Sequence, residues 1–169
     1  MIRNILPIAF AVTVSGCMSY APIETPPQKV AFSSQTAQTN VDSYSTSAIR
    51  TIREEGRKKV EVKGAACKIR GTGYFARVIT PKLVELPTYR GKTDPVQISC
   101  NAGGMSVVET VEPRNETLAR IQAAQSSGGG LVGALAVAFV KGVAQSTRDP
   151  SKDEFAYRSE IALKLSESQ

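Results

Sequence analysis

Between residues 64 and 111 the chain is cut into short apolar runs at close intervals, and this restricts its fold more than any other feature. Residues 66–70, 74–79, 83–86, 96–100 and 105–111 are rich in β-branched and aromatic side chains. Gly71-Thr72-Gly73, Thr80-Pro81, residues 91–95 and Gly103-Gly104 separate them. Runs this short, each closed by turn residues, read as antiparallel strands, and a series of them predicts a small β-sandwich.

The flanking segments extend that reading. Phe155, Tyr157, Ile161, Leu163 and Leu165 occupy one side of a period-two pattern whose other side holds Ala156, Arg158, Glu160, Ala162 and Lys164. This predicts a C-terminal strand over 155–165 with one face in the core. Residues 48–62 are charged and ambiguous. Val60 and Val62 alternate with charged neighbours, while Ile49 and Ile52 sit at helical spacing. Two short strands around Gly56 are expected there. Residues 113–126 predict a helix, with Asn115 as its cap, a Glu116–Arg120 pair one turn apart, and Leu118 with Ile121 as a narrow apolar face. Residues 18–47 are rich in Ser, Thr, Gln and Pro and are expected to stay unfolded. The fold class is therefore mainly β with one or two helices. It is a small antiparallel β-sandwich-like domain over 48–169, behind a flexible N-terminal tether over 17–47.

The first residues add a location. Arg3 precedes an apolar stretch over 5–14, and Val14-Ser15-Gly16-Cys17 follows. That stretch is about half the roughly twenty residues needed to span a bilayer. A charged start, a short apolar run and small residues before a Cys resemble the signal peptide and lipobox of a bacterial lipoprotein. Val14 stands where Leu is commoner. The resemblance implies that residues 1–16 are removed and that Cys17 carries acyl chains, which anchor it in a membrane. Three chains make such attachment effectively permanent, at about 0.8 kcal/mol per buried methylene. Met18 stands where Asp would favour retention at the inner membrane. The expected place is the outer membrane of a Gram-negative cell, facing the periplasm.

The other two cysteines follow from that placement. With Cys17 acylated, Cys67 and Cys100 remain as a pair in an oxidising compartment, and a disulfide is the natural inference. It would close a loop of about 34 residues and contribute roughly 3–4 kcal/mol through chain entropy. The chain lacks Trp and has 6% aromatic residues, so its core is modest and such a staple matters. A net charge of +6 suits anionic headgroups, lipopolysaccharide or peptidoglycan carboxylates, or is simply scattered over a soluble surface. Nucleic acid is not an expected partner in that compartment.

A second resemblance covers residues 64–104. Gly64-Ala65-x-Cys67, Gly71, Thr80-Pro81, Val84, Pro95-Val96-x-Ile98-x-Cys100 and Gly103-Gly104 are similar to a PEGA-like module of envelope lipoproteins. Such modules often carry Trp in the second strand, where this chain has Tyr74-Phe75. The resemblance implies a β-sandwich used for attachment or scaffolding, and it brings no catalytic residues with it.

Residues 128–142 are the second unusual stretch. Gly130, Ala134, Ala138 and Gly142 recur every four residues, beside Gly129 and Gly133. On a helix over 128–145 they form a smooth face that permits close backbone approach. The pattern resembles the glycine-zipper stretches of outer-membrane lipoproteins. Three readings stand: a helix packed on the sheet, a face for self-association or an envelope partner, and a membrane-active segment. A phosphate loop is excluded, because no Gly-Lys-Ser/Thr follows the glycines.

Enzymatic chemistry finds little support. Without His the chain has no Ser-His-Asp triad, no Cys-His dyad and no histidine metal site. Glu54-Glu55, Glu109, Glu112 and Asp153-Glu154 show no spacing that suits acid–base work. Ser151-Lys152 lacks the Ser-x-x-Lys geometry. No cofactor or metal is expected, and a periplasmic hydrolase of unrecognised type is the remote alternative.

Overall fold

The computed structural model describes residues 20–126 and 149–167. Two short strands, β1 (Gln28–Lys29) and β2 (Ala31–Phe32), precede a helical turn, α1 (Gln35–Thr39). The long β3 (Ser43–Glu55) turns into β4 (Lys58–Glu61) at Gly56, whose φ of 61° suits the first position of a two-residue hairpin loop. Strands β5 (Ala66–Gly71), β6 (Tyr74–Ile79), β7 (Lys82–Thr88), β8 (Val96–Ala102) and β9 (Met105–Val111) follow in close succession. Then come β10 (Arg114–Asn115) and α2 (Glu116–Ser126). A 3-10 turn (Pro150–Lys152), β11 (Phe155–Ala156), β12 (Glu160–Lys164) and β13 (Ser166–Glu167) complete the described chain.

These strands form two facing sheets and a small β10–β11 ribbon. One sheet has the order β1-β7-β3-β12, and the other β13-β9-β8-β5-β6-β2. Ala48 and Ile49 pair with both β7 and β12, while Ile52 pairs with both β12 and β4. Hence β7 and β4 share one edge of β3, and β3 is the spine of its sheet. Both sheets feed a single core that includes Ile49, Val84, Leu86, Ile161 and Leu163 from one and Ile69, Val78, Val96 and Ile98 from the other. The mainly β, sandwich-like class is the expected one, with α1 and α2 at its margin; the Gly/Ala-rich helix expected to pack on it lies outside the described residues.

Both corners of the sandwich are closed by strands that change sheets, a known way to make corners. Gln28 and Lys29 pair with β7, the chain bends at buried Val30, and Ala31 and Phe32 pair with β6. At the other corner β12 pairs with β3, Leu165 donates to Ile52, and Ser166 and Glu167 pair with β9. These crossings pair two positions each on the edges of β7, β6 and β9 and so satisfy backbone groups that would otherwise invite another chain.

Four expectations need correction. Of the tether expected over 17–47, residues 28–29, 31–32 and 43–47 belong to the sheets; hydroxyls are tolerated there because they find partners, buried Ser47 donating to Arg158 O at 2.7 Å and Ser45 Oγ accepting from Tyr157 N at 3.0 Å. The sandwich is not wholly antiparallel: β12 runs parallel to β3, and β1 parallel to β7. Periodicity alone specifies a strand but not its direction. The strand expected over 155–165 is broken between Ala156 and Glu160, where Tyr157 turns inward. In α2, Arg120 pairs with Glu154 rather than with Glu116, which lies near Arg114. Asn115 does cap the helix, its Oδ1 accepting from Leu118 N at 2.9 Å. The Gly/Ala segment with Gly129, Gly130, Gly133, Ala134, Ala138 and Gly142, and the lipidation residue Cys17, lie outside the described residues.

Candidate docking surface

Cys67 and Cys100 form a disulfide with Cα atoms 4.1 Å apart. They are direct partners in the β5–β8 register, so the bridge lies within one sheet rather than between separated segments. A Cα separation of this size suits a non-hydrogen-bonded antiparallel pair, where side chains stand closest. Both sulfur-bearing side chains point into the core, at 2% exposure. Lys68 and Ser99, their next neighbours, therefore point the other way.

The outer face of this disulfide sheet has an unusual composition. β5 presents Ala66, Lys68 and Arg70, while β6 presents Phe75, Arg77 and Ile79, all exposed. Gln97, Ser99 and Asn101 continue it on β8, and Val108 with Thr110 on β9. In register, Lys68 faces Arg77 and Arg70 faces Phe75. Like charges directly opposed destabilise a sheet. None of these three cations meets a carboxylate among the described residues, and no Asp or Glu stands on this face. Some other surface cations are paired, as in Arg158–Glu109, Lys164–Glu54 and Lys92–Asp94, whereas exposed Lys29, Arg57 and Lys63 have no ion pair among the described residues.

Apolar side chains share the same surface. Phe75 is 49%, Ile79 59% and Val108 66% exposed. Among the described residues the only other large hydrophobic exposed to this degree is Tyr44, so exposed apolar groups are concentrated here. Two open depressions cross the face and share Lys68 and Arg77; one reaches Arg70 and Phe75, the other Ile79 and Lys82. Such a surface offers charge attraction with partial desolvation, the combination typical of a binding face. The depressions are shallow and contain no carboxylate, so nothing in them suits acid–base catalysis.

The opposite outer face, on β3, holds the start of the described chain. Arg50 points outward from β3 yet is only 5% exposed, because residues 20–21 lie over it. Its guanidinium pairs with Glu61, Nη2 donates to Ala21 O at 2.8 Å, and the Tyr20 ring centroid lies 4.7 Å away. A buried cation requires this kind of compensation.

The remaining residues singled out in the sequence do not converge. Glu54 pairs with Lys164, Glu55 with Arg53 and Glu109 with Arg158. Asp153 accepts from Asn115 Nδ2 at 2.7 Å, and Ser151 Oγ donates to Asp149. Among the described residues no group of three His, Cys, Asp or Glu is placed to share a metal ion. Sequence reasoning passed over the cationic face, although Lys68-x-Arg70 and Phe75-x-Arg77-x-Ile79 carry its signal as outward positions of two period-two runs.

No protein-family model matches the chain, and no curated protein or solved structure is detectably similar to it. Among the described residues no helix is long and apolar enough to cross a membrane.

Proposed function

We propose that this chain is a lipid-anchored lipoprotein of the bacterial outer membrane, facing the periplasm, with a binding or scaffolding role and no enzymatic one. Removal of residues 1–16 would leave Cys17 acylated, and the anchored domain would act by holding a partner near the membrane. The lipobox-like Val14-Ser15-Gly16-Cys17 supports the anchor. A buried Cys67–Cys100 disulfide suits an oxidising compartment. It also fits the PEGA-like resemblance, in which a β-sandwich serves attachment.

One observation carries the binding role: Lys68, Arg70 and Arg77 share an exposed face with Phe75, Ile79 and Val108 and have no carboxylate beside them. Leaving three like charges together costs stability, and an anionic partner would offset that cost. Fractionation of cells tests the anchor. The wild-type chain should sediment with outer membranes, and Cys17→Ser should appear in the soluble periplasmic fraction; a Cys17→Ser chain that stays with the membranes would defeat this reading. Crosslinking in intact cells through Phe75 or Val108 positions should capture a partner that Tyr44 positions do not.

A further inference from the structure

We infer that the outer face of the disulfide sheet docks an anionic glycan–peptide polymer, peptidoglycan, rather than the membrane in which Cys17 would be held. The choice of partner rests on the lipoprotein reading above. The docking face itself rests on the structure.

Charge complementarity calls for an anion. Lys68 and Arg77 stand opposite each other, with Arg70 two residues along β5, so three positive groups crowd one patch. Carboxylates spaced along peptide stems would neutralise such a patch without needing a closed pocket. Phe75 stands directly beside Arg70 in the register and is half exposed. An exposed aromatic ring offers a flat apolar surface to the C–H face of a sugar, while its cationic neighbours take the acidic groups. Ile79 and Val108 extend the apolar surface on both sides of the cations, which suits the methyl groups of alanine-bearing stems.

The course of the N-terminal chain argues against the anchoring membrane as occupant. Cys17 is three residues from Tyr20, a reach of at most about 11 Å for an extended chain. Arg50 holds Tyr20 and Ala21 on the outer face of β3. Facing sheets lie about 10 Å apart, and outward side chains add to the separation on each side. An acylated Cys17 therefore keeps its leaflet on the β3 side, with Lys68, Arg70 and Arg77 turned away across the sandwich. In the periplasm, the polymer layer lies on that far side. Residues 127–148 of the same chain are no better an occupant, since they contain Lys141 and Arg148 but no carboxylate.

Cosedimentation of the full chain with purified sacculi tests the assignment, with phosphatidylglycerol vesicles and a single-stranded oligonucleotide as competing ligands. The Cys17→Ser chain is measured alongside, because it lacks the proposed lipid but keeps the face. Both should bind sacculi, with affinity falling as salt rises. The combined Lys68→Gln, Arg70→Gln and Arg77→Gln variant should bind about tenfold or more weakly, through the loss of three exposed charge contacts. Phe75→Ser should weaken binding with unchanged salt sensitivity. Should the triple variant fail to fold, as judged by near-ultraviolet circular dichroism, Arg77→Gln alone provides the comparison. Absence of sacculus binding at low salt, indifference to the cation variants, or preference for vesicles or oligonucleotide would each overturn the inference. A Cys17→Ser chain that leaves the membrane but ignores sacculi would overturn this inference alone. One that binds sacculi but stays with the membranes would overturn the anchor.

Discussion

Tyr74 and Tyr157 illustrate how single side chains set the character of this small core. They come from different sheet regions, meet hydroxyl to hydroxyl at 3.2 Å, and Tyr157 donates to Asp94 O at 2.7 Å. Both are 4% exposed, and burial pushes the Tyr74 phenol well above its usual range and raises that of Tyr157. An unfolded chain ionises tyrosine near pH 10. A phenol raised in the folded state holds its proton more tightly there, so its contribution is complete below about pH 10 and falls as pH climbs toward the folded value. Denaturant midpoints measured from pH 8 to 11.5 should therefore decline above about pH 10, and Tyr74→Phe should flatten that decline. An unchanged slope in the variant would show that other groups govern alkaline unfolding. Gly71 packs against the same ring: a Cβ there would stand 2.1 Å from Tyr74 Cζ. Gly71→Ala should destabilise by about 1–3 kcal/mol through overpacking. Gly103 lacks any heavy atom near its Cβ position, so Gly103→Ala meets only the cost of its positive φ, 53°. Thermal melts of the two variants should separate crowding from backbone strain.

Among the elements, the β5–β8 pair depends most on a covalent link. Cys67 and Cys100 are separated by 33 positions but paired side by side. Chain entropy assigns the closed loop about 3–4 kcal/mol. The Cys67→Ala/Cys100→Ala variant should lose that amount in chemical denaturation, and wild type with a reductant should shift equally. A loss below about 1 kcal/mol would mean the denatured chain is already compact around this loop. Element positions in this region were readable in advance because each strand ends at a residue with a physical reason to turn. Gly103 and Gly104 have φ of 53° and 80°, the double positive pair of a tight hairpin. Other elements were not readable. In residues 28–32 two strand pairings involve only two residues each, and their sequence has no alternation to mark them. Arg120 found Glu154 from a distant segment, which no spacing rule within a helix anticipates.

At the scale of the whole molecule, the two sheets are held together by their corners as well as by their core. The first corner uses Val30, which joins the core at 8% exposure, and the second uses Leu165 at 3%. A chain beginning at Ser43 lacks the first corner, leaving edges of β6 and β7 unpaired and Val30's site open. It should be less stable than the full chain by about 2–4 kcal/mol, from one lost apolar side chain and several backbone bonds. It should also aggregate more readily at high concentration, through the freed edges. Chemical denaturation with light scattering checks both. If stability is unchanged, the segment is a passive tether after all. The same arrangement separates the faces functionally: the β3 side carries the pinned N-terminal chain, and the disulfide side carries the cations.

Residue patterns by themselves specified the strands between 64 and 111, the turn at Gly56, the cap at Asn115 and the β-rich class. Each depends on local backbone and side-chain preferences, which act over a few neighbours. Tertiary structure decided the rest. It set the parallel course of β12, the corner roles of Val30 and Leu165, and the placement of the disulfide within one sheet. It also gathered Lys68, Arg70, Arg77, Phe75, Ile79 and Val108 onto one surface. Those six residues come from three strands, and only the register that packs their inward neighbours into the core makes them one face.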